Sequence, residues 1–227
     1  MELNIKPIAY IETDFKEKFG IPRQSGRVEA LKGKIVFLPE YRNPDALRGL
    51  EGFSHIWLIF DFSLSHRENW SPTVRPPRLG GNEKIGVFAS RSPFRPNPLG
   101  LSLVKLDSIE KTDSKGNIIN VSGVDLLDGT PIYDIKPYLP YADCKPEAIG
   151  GYAEGLKNYA LNVNFPEELL NRIPEEKREA VTACLADDPR PSYQTDDRLY
   201  SMRFGKFDIH FKVKEKVLTV IEVENLG

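Results

Sequence analysis

The forty residues LGLSLVKLDSIEKTDSKGNIINVSGVDLLDGTPIYDIKPY, from 99 to 138, decide the class of fold. They contain three apolar, β-branched runs separated by glycine-centred turns, KGNI at 115–118 and DGTP at 128–131. The runs are Leu99 to Lys111, Asn117 to Leu127 and Pro131 to Tyr138. Parallel strands need long crossovers, whereas turns this short join antiparallel strands. The stretch therefore predicts three consecutive antiparallel strands.

Towards the N-terminus the same pattern continues, with five further strand-like runs. They are Ile5 to Ile11, Gly26 to Leu31, Lys34 to Leu38, Phe53 to Leu64 and Lys84 to Ala89. One short helix is expected at Asn43 to Leu50, because Asn-Pro supplies an N-cap and a first-turn proline. Since no long helix separates the runs, we expect an antiparallel sheet closed into a barrel or folded into a sandwich.

After residue 141 the chain changes character and predicts a small α+β domain. FPEELLNRI at 165–173 and PEEKREAVTACLA at 174–186 are typical of helices with acidic first turns. Three short strands follow, at 198–204, 206–213 and 217–224. We therefore divide the chain into a β domain at 1–150 and an α+β domain at 151–227.

Composition excludes several classes of protein. Hydrophobic residues make up 40% of the 227 residues and charged residues 28%, which excludes a disordered chain and a membrane span. The start MELNIKPIAYIETDF has no basic and apolar regions of a signal peptide, so we expect no secretion. The two cysteines are 40 residues apart without a CxxC pattern, which favours a reduced cytoplasmic protein. The three histidines have no metal-ligand spacing, and we expect no metal.

The net charge of −2 conceals a basic region between residues 71 and 100. Five basic residues stand there against Glu83, namely Arg75, Arg78, Lys84, Arg91 and Arg95. A concentration of one charge sign attracts anionic ligands even when the whole protein is mildly acidic.

Two loops rich in proline and arginine carry this charge: PTVRPPRLGG at 72–81 and GVFASRSPFRPNPLG at 86–100. Prolines 93, 96 and 98 lack amide donors, so the second segment cannot be a central strand and must be a loop with a nearly fixed path. Arginines on such a loop lose little entropy when they bind a phosphate or carboxylate. The alternative to a ligand-binding loop is a rigid linker that covers the end of the barrel. Phe94 would then fill the barrel end instead of stacking on a base.

Other polar segments supply candidate contacts, whereas nucleotide-binding glycine motifs are absent from the sequence. No GxGxxG follows a strand and no GxxxxGK[ST] occurs, which disfavours doubly wound folds. GIPRQSG at 20–26 and the acidic stretch 125–143 remain. A carboxylate in the acidic stretch could accept a hydrogen bond from a ribose hydroxyl. The preference of turns for Asp-Gly alone also explains Asp128-Gly129.

The motifs VRPPRLGG, GVFASRSPFRPNPLGLS, DGTP with DIKPYLPYAD, and the late DPRPSY together resemble the TsaA-like, or TrmO, family. The resemblance runs from about residue 8 to 211. It implies an antiparallel β-barrel with a small C-terminal α+β domain, and a homodimer. It also implies an S-adenosylmethionine-dependent tRNA methyltransferase that modifies N6 of threonylcarbamoyladenosine beside the anticodon of threonine tRNA.

The resemblance also assigns residues that bind the methyl donor. They are Pro22, Arg23 and Gln24 of PRQ, Phe62 and Ser63 after the fourth strand, Arg91, Leu101, and Asp128, Gly129, Thr130 and Pro131 of DGTP. One departure is visible, because many relatives carry a histidine where this chain has Ser63. His66 stands three residues later.

Charge and chemistry suggest the remaining roles. The carbamoylated N6 must lose a proton during methylation, and Asp188 or Tyr193 of DPRPSY are candidate bases. Arg75, Arg78 and Arg95 are candidate tRNA phosphate contacts. Two alternative functions remain open, a noncatalytic tRNA-binding barrel and a methyltransferase with another acceptor.

Overall fold

A closed barrel of six antiparallel strands forms the first part of the protein, in the order β1-β2-β7-β6-β3-β8. The computed structural model describes residues 4–76, 83–156, 159–190 and 198–227. The barrel strands are β1 (Ala9–Thr13), β2 (Lys32–Phe37), β3 (His55–Asp61), β6 (Leu99–Thr112), β7 (Gly116–Ser122) and β8 (Pro131–Pro137). The predicted mainly β fold with a barrel is confirmed, and closure decides against a sandwich.

Strand β6 is the longest strand of the barrel and pairs with its two neighbours in successive parts of its length. Residues 99–105 pair with β3, and residues 105–112 pair with β7, with an irregularity between Leu106 and Ser108. Gly100 faces Phe60 across the first pairing, and the Phe60 ring fills the space that a larger residue at 100 would need. A fourteen-residue strand can thus coil around the barrel without leaving an edge.

The barrel interior is filled by alternating apolar side chains, as expected of strands with one buried face. Fully or almost fully buried residues come from every one of the six strands: Ile11, Ile35, Ile56, Leu58, Val104, Ile119, Val121 and Ile132. Val124 and Leu126 close one end of this core from the segment between β7 and β8. The interior is therefore a packed core, and a ligand site must be built outside it.

Three predicted elements differ from the structure. The strand expected at 84–89 is extended only at Ile85–Gly86, and Val87–Ala89 forms a 3-10 turn. The helix expected at 43–50 is a 3-10 turn, Pro44–Leu47, which ends where Arg48 adopts an extended ψ of 120°. Gly49 then adopts a left-handed φ of 87° and precedes a second 3-10 turn, Leu50–Gly52. The strand expected at 26–31 is a series of turns. Gly26 has φ 74° and donates its N–H to the carbonyl of Gly123 at 2.9 Å, so the chain here crosses the barrel end rather than joining the sheet.

The proline-rich region forms a short ribbon and then a loop. Strands β4 (Thr73–Val74) and β5 (Ile85–Gly86) pair with each other, and a 3-10 turn, Val87–Ala89, follows. Residues 90–98 contain no strand, as the prolines predict. This loop leads directly into β6.

The C-terminal part is a four-stranded sheet covered by helices, which agrees with the α+β prediction. Its strands are β9 (Asn162–Asn164), β10 (Tyr200–Phe204), β11 (Phe207–Lys214) and β12 (Val217–Asn225), in the order β10-β11-β12-β9. The first helix, α1 (Pro140–Asp143), follows β8, and Asp143 accepts the indole N–H of Trp57 on β3 of the barrel. The helices of the C-terminal part are α2 (Glu167–Leu170) and α3 (Glu175–Ala186). Among the described helices, none has the length and apolar character needed to cross a membrane.

The two sheets share one hydrophobic core through the segment that follows β1. Phe15 is fully buried and its ring meets that of Phe204 edge to face at 5.4 Å. The carbonyl of Asp14 accepts the N–H of Gly205 at 2.7 Å, and its carboxylate pairs with Lys177. Residues 14–31 therefore fill the space between the barrel and the C-terminal sheet.

The contact between Gly100 and Phe60 predicts that Gly100→Ala destabilises the fold. A Cβ at position 100 would overlap the Phe60 ring, which is buried and packs on Phe62 at 5.0 Å. We expect a loss of about 1–3 kcal/mol in the free energy of unfolding, measured by urea denaturation.

Gly86→Ala is the matched control, because no atom lies within 4 Å of its added Cβ. Adding Phe60→Leu to Gly100→Ala should recover part of the loss by making room. Equal unfolding midpoints for Gly100→Ala and the wild type would refute the prediction.

Candidate active site

One end of the barrel gathers the segments that the sequence singled out. Antiparallel pairing brings together the C-terminal ends of β1, β3 and β7 and the N-terminal ends of β2, β6 and β8. The segments attached there are 14–31, 62–98 and 123–130. They contain PRQ, both loops rich in proline and arginine, and DGTP, so side chains more than 100 residues apart in sequence meet at this end.

Arg91 and the PRQ element contact each other. Nη1 of Arg91 donates to Oε1 of Gln24, and Nε2 of Gln24 donates to the carbonyl of Arg23 at 2.5 Å. Nη2 of Arg23 donates in turn to the carbonyl of Arg190 at 3.0 Å, in the C-terminal part. A continuous chain of hydrogen bonds thus runs from the proline-rich loop through PRQ to the DPRPSY segment.

Asp125 is a half-buried residue whose carboxylate fixes this chain of hydrogen bonds to the barrel. Its Oδ1 accepts the hydroxyl of Ser102 on β6 at 2.6 Å, and its carboxylate accepts the backbone N–H of Ser25. Oγ of Ser25 accepts the N–H of Leu103 at 3.1 Å. Burial raises the pKa of Asp125 to about 6, although these hydrogen bonds and the charge of Arg91 oppose the rise.

The DGTP turn is anchored against the end of β1. Oδ1 of Asp128 accepts the N–H of Thr13 at 2.9 Å, and Oδ2 accepts Nζ of Lys16 at 2.6 Å. Gly129 has φ 76°, is exposed and donates its N–H to the carbonyl of Ile11 at 2.8 Å. The carboxylate of Asp128 has lone pairs left for a further donor, such as a hydroxyl.

A carboxylate and an imidazole form a pair where β3 ends. Oδ1 of Asp61 lies 2.7 Å from Nε2 of His66. Asp61 is 9% exposed, although it points away from the barrel interior. Tyr133 on β8 lies beside it, and burial together with the charge of Asp61 raises the pKa of the phenol.

Two family models together cover most of the chain. The model of the tRNA-methyltransferase O N-terminal domain matches residues 10–144, and the model of the TrmO C-terminal domain matches residues 158–226. The chain belongs to the TrmO family.

Relatives of known name and structure cover nearly the whole chain. The tRNA (adenine(37)-N6)-methyltransferase of Escherichia coli K12 is 40% identical over 226 residues, 96% of each chain. A second tRNA (adenine(37)-N6)-methyltransferase, from Eikenella corrodens, is 47% identical and covers 75% of this chain and 96% of its own length. A crystal structure of TrmO from Pseudomonas aeruginosa superposes with a TM-score of 0.80 at 36% identity, covering 99% of this chain and 98% of that one.

The remaining donor-site residues predicted from TrmO resemblance lie near the same barrel end. Pro22 is buried next to Arg23. The N–H of Phe62 donates to the carbonyl of Pro98 at 2.8 Å, which holds Ser63 beside the proline-rich loop. Leu101 pairs with Ile59 and is 56% exposed on the outside of the barrel. The predicted donor residues therefore lie around this barrel end, where Leu101 is exposed and Pro22 and Thr130 are buried.

The candidate RNA-binding arginines differ in how much their positions are constrained. Nη1 of Arg95 donates to the carbonyl of Ser90 at 2.8 Å and lies 3.3 Å from that of Val87, so this guanidinium braces its own loop. Arg75 is exposed at the end of β4. Arg78 lies outside the described residues.

Asp188 forms a bidentate ion pair with Arg190. Its two oxygens accept Nε and Nη2 of Arg190 at 2.9 and 3.1 Å, and Oδ2 also accepts the hydroxyl of Tyr159 at 2.8 Å. Burial would raise the pKa of Asp188, but the bonds from Arg190 and Tyr159 outweigh it and hold the pKa below its usual value. A carboxylate with a lowered pKa is a weaker proton acceptor. Tyr193, the other predicted base, lies outside the described residues.

Sequence reasoning missed three polar residues of this site. Asp61 interrupts the apolar run 53–62, and that interruption was the available signal. Asp125 stood within an acidic stretch without a reason to prefer it, and Ser102 had no distinguishing feature. Their burial depends on which strands become neighbours, which the sequence pattern alone did not specify.

One group of possible metal ligands lies elsewhere among the described residues. His210, Glu222 and Glu224 on β11 and β12 bring their ligand atoms within 4.8 Å of one another. Both glutamates are exposed, and exposed carboxylates often cluster without a cation. The group does not by itself define a metal site.

The raised pKa of Asp125 predicts a specific pH dependence of stability. Because its pKa rises from 3.8 to about 6 on folding, the protonated carboxyl favours the folded state and this contribution is lost as pH rises. Relative to Asp125→Asn, the wild type should lose up to about 3 kcal/mol of unfolding free energy between about pH 4 and pH 7. Urea denaturation at several pH values measures the difference.

Asp113→Asn, at an exposed turn between β6 and β7, is the control and should follow the wild type at every pH. Parallel curves for Asp125→Asn and the wild type would contradict the assignment.

Proposed function

We propose that the protein transfers a methyl group from S-adenosylmethionine to N6 of threonylcarbamoyladenosine, next to the anticodon of threonine tRNA. The observation that carries the proposal is the contact of Arg91 with Gln24 at the barrel end, between two elements predicted to bind the donor. Membership of the TrmO family, with relatives named as tRNA (adenine(37)-N6)-methyltransferases, supports the same conclusion.

The residues at the barrel end fit the polar groups of the donor. Arg91 is exposed and can bind the amino-acid carboxylate, because a guanidinium and a carboxylate make charge-assisted hydrogen bonds. Asp128 can accept a ribose hydroxyl with its remaining lone pairs. Phe62, Ser63, Leu101 and Pro131 border the same rim and can cover the less polar parts. When bound, the donor supplies a methyl group on a sulfonium.

Positioning supplies most of the catalysis in this scheme. Holding donor and acceptor in line converts a bimolecular reaction into an effectively unimolecular one. The hydrogen bonds from Asp125 to Ser25 and Ser102 keep PRQ rigid, so the site loses little entropy on binding. We assign Asp188 to this scaffold through Arg190 and Arg23, and Tyr193 stays a candidate for contact with the modified base.

The basic region supports tRNA as the partner. Arg75 follows β4 of the ribbon and Arg78 is three residues further along the sequence, and phosphate contacts by such residues provide sequence-independent affinity. Arg95 has nitrogens besides Nη1 for a phosphate, while it braces the loop.

A homodimer and a cytoplasmic location complete the proposal. Leu99 and Leu101 expose 40% and 56% of their surface on the outside of the barrel, an apolar patch suited to a second copy. Cys144 and Cys184 are both free thiols, as in a reducing compartment. In functional terms, residues 1–150 are the donor-binding β-barrel domain, and residues 151–227 form a small α+β domain whose Arg190 carbonyl anchors Arg23.

Arg91→Ala tests the donor site. Loss of a charged hydrogen bond of about 1.5–3 kcal/mol should weaken S-adenosylmethionine binding about ten- to hundredfold in calorimetry, and methyl transfer should fall with it. Arg48→Ala is the control, because Arg48 is an exposed arginine at the opposite end of the barrel. Unchanged donor affinity in Arg91→Ala would remove Arg91 from the site.

Methyl-transfer and binding assays of the wild-type protein distinguish the proposed function from its alternatives. Methyl incorporation should require threonine tRNA that carries the threonylcarbamoyl group. Transfer to unmodified tRNA or a small molecule would indicate another acceptor. Salt-dependent tRNA binding without any donor binding would indicate a noncatalytic RNA-binding protein.

Arg75→Ala tests the RNA surface. If Arg75 contacts a phosphate, the variant should bind tRNA more weakly at low salt, and the slope of log affinity against log salt should fall by about one. Donor affinity should stay unchanged. An unaltered salt slope would exclude a phosphate contact by Arg75.

A further inference from the structure

The pair formed by Asp61 and His66 favours one tautomer of an exposed neutral imidazole. A carboxylate accepts hydrogen bonds and donates none, so the 2.7 Å contact places the proton of neutral His66 on Nε2. The lone pair then lies on Nδ1. The side chain of His66 is 57% exposed, while that of Asp61 is almost covered. A buried carboxylate that orients an accessible imidazole is the arrangement found in general-base catalysis.

The turn that carries His66 is held in place by three segments of the candidate site. Nζ of Lys18 donates to the carbonyl of Leu64 at 3.1 Å and to Oγ of Ser65 at 3.2 Å. The guanidinium of Arg67 lies 3.7 Å from the centre of the Phe94 ring, in the proline-rich loop. Tyr133 contacts Asp61 from β8, two residues after DGTP ends. The imidazole is thus preorganised between the proline-rich loop and DGTP.

We propose that His66 is the general base for the methyl transfer, with Asp61 as its positioning residue. This inference rests on the proposed function. N6 of the acceptor forms a bond to the methyl carbon, the carbon–sulfur bond breaks, and its electron pair stays on sulfur. The N6 proton passes to Nδ1 of His66, which becomes an imidazolium stabilised by Asp61. The carbamoyl group makes this proton more acidic than that of adenine, so an imidazole is a base of suitable strength.

The charged and titratable groups around His66 give the reaction its expected pH dependence. Asp61 and Tyr133 face the pair from β3 and β8, and Lys18 and Arg67 flank the turn. Only the unprotonated imidazole accepts the proton, so kcat should rise as increasing pH removes the proton from His66.

His66→Ala and His66→Gln test the proposal in single-turnover methyl transfer to threonylcarbamoyl-modified threonine tRNA. Both should lose about 10² to 10⁴ in rate, whereas the dissociation constant for S-adenosylmethionine should change less than twofold. The rise of rate with pH should disappear, and added imidazole should restore part of the activity of His66→Ala. Asp61→Asn should also slow the reaction, since an asparagine can hold the ring in the other tautomer.

His55→Ala is the matched control, because His55 begins β3 at the opposite end of the barrel and should be dispensable. Wild-type rate in His66→Ala, or a pH profile in His66→Gln identical to that of the wild type, would overturn the assignment while leaving the proposed function intact. Absence of methyl transfer by the wild-type protein would overturn the proposed function and this inference with it.

Discussion

The pairing of β6 with both β3 and β7 is the constraint on which the rest of the structure depends. Because one strand of fourteen residues serves two neighbours, the sheet closes and all the long connections emerge at defined ends. Gly100, near the start of β6, allows the pairing with β3, because the Phe60 ring occupies the space that a side chain at position 100 would need. The prolines before β6 lack amide donors, so the strand cannot extend further towards the N-terminus. The loop 90–98 therefore ends at the rim of the barrel.

Polar groups at the barrel end hold distant segments together at a cost in solvation. Asp125 loses hydration on burial, and its raised pKa reports that loss. In return its carboxylate joins β6, the PRQ segment and the segment before DGTP through hydrogen bonds. A buried polar group with several partners specifies one arrangement of loops, which an apolar contact would not. The loops at this end of the barrel are thus held rigid by hydrogen bonds to strand β6.

The sequence predicted the architecture well and the site only in outline. Strand periodicity located most strands of the barrel and the C-terminal sheet, because alternation and glycine turns are local signals. It failed at 26–31 and 43–50, where Gly26 and Gly49 adopt left-handed conformations that only the tertiary structure reveals. Family resemblance supplied Arg91 and Gln24, which do meet. The partners of Asp61 and Asp125 depend on strand neighbours and loop crossings, so no local pattern identified them.

The C-terminal region contributes to the barrel end even though the donor-site motifs precede it in sequence. Asp188 adopts φ 55°, an unfavourable conformation for a residue with a Cβ, and its ion pair with Arg190 stabilises it there. The carbonyl of Arg190 then receives Arg23, the first link of the chain to Gln24 and Arg91. Phe15 and Asp14 have partners in the same C-terminal region. A barrel without residues 151–227 would lose the Phe204 partner of Phe15 and the anchor of PRQ, so the predicted site depends on the whole chain.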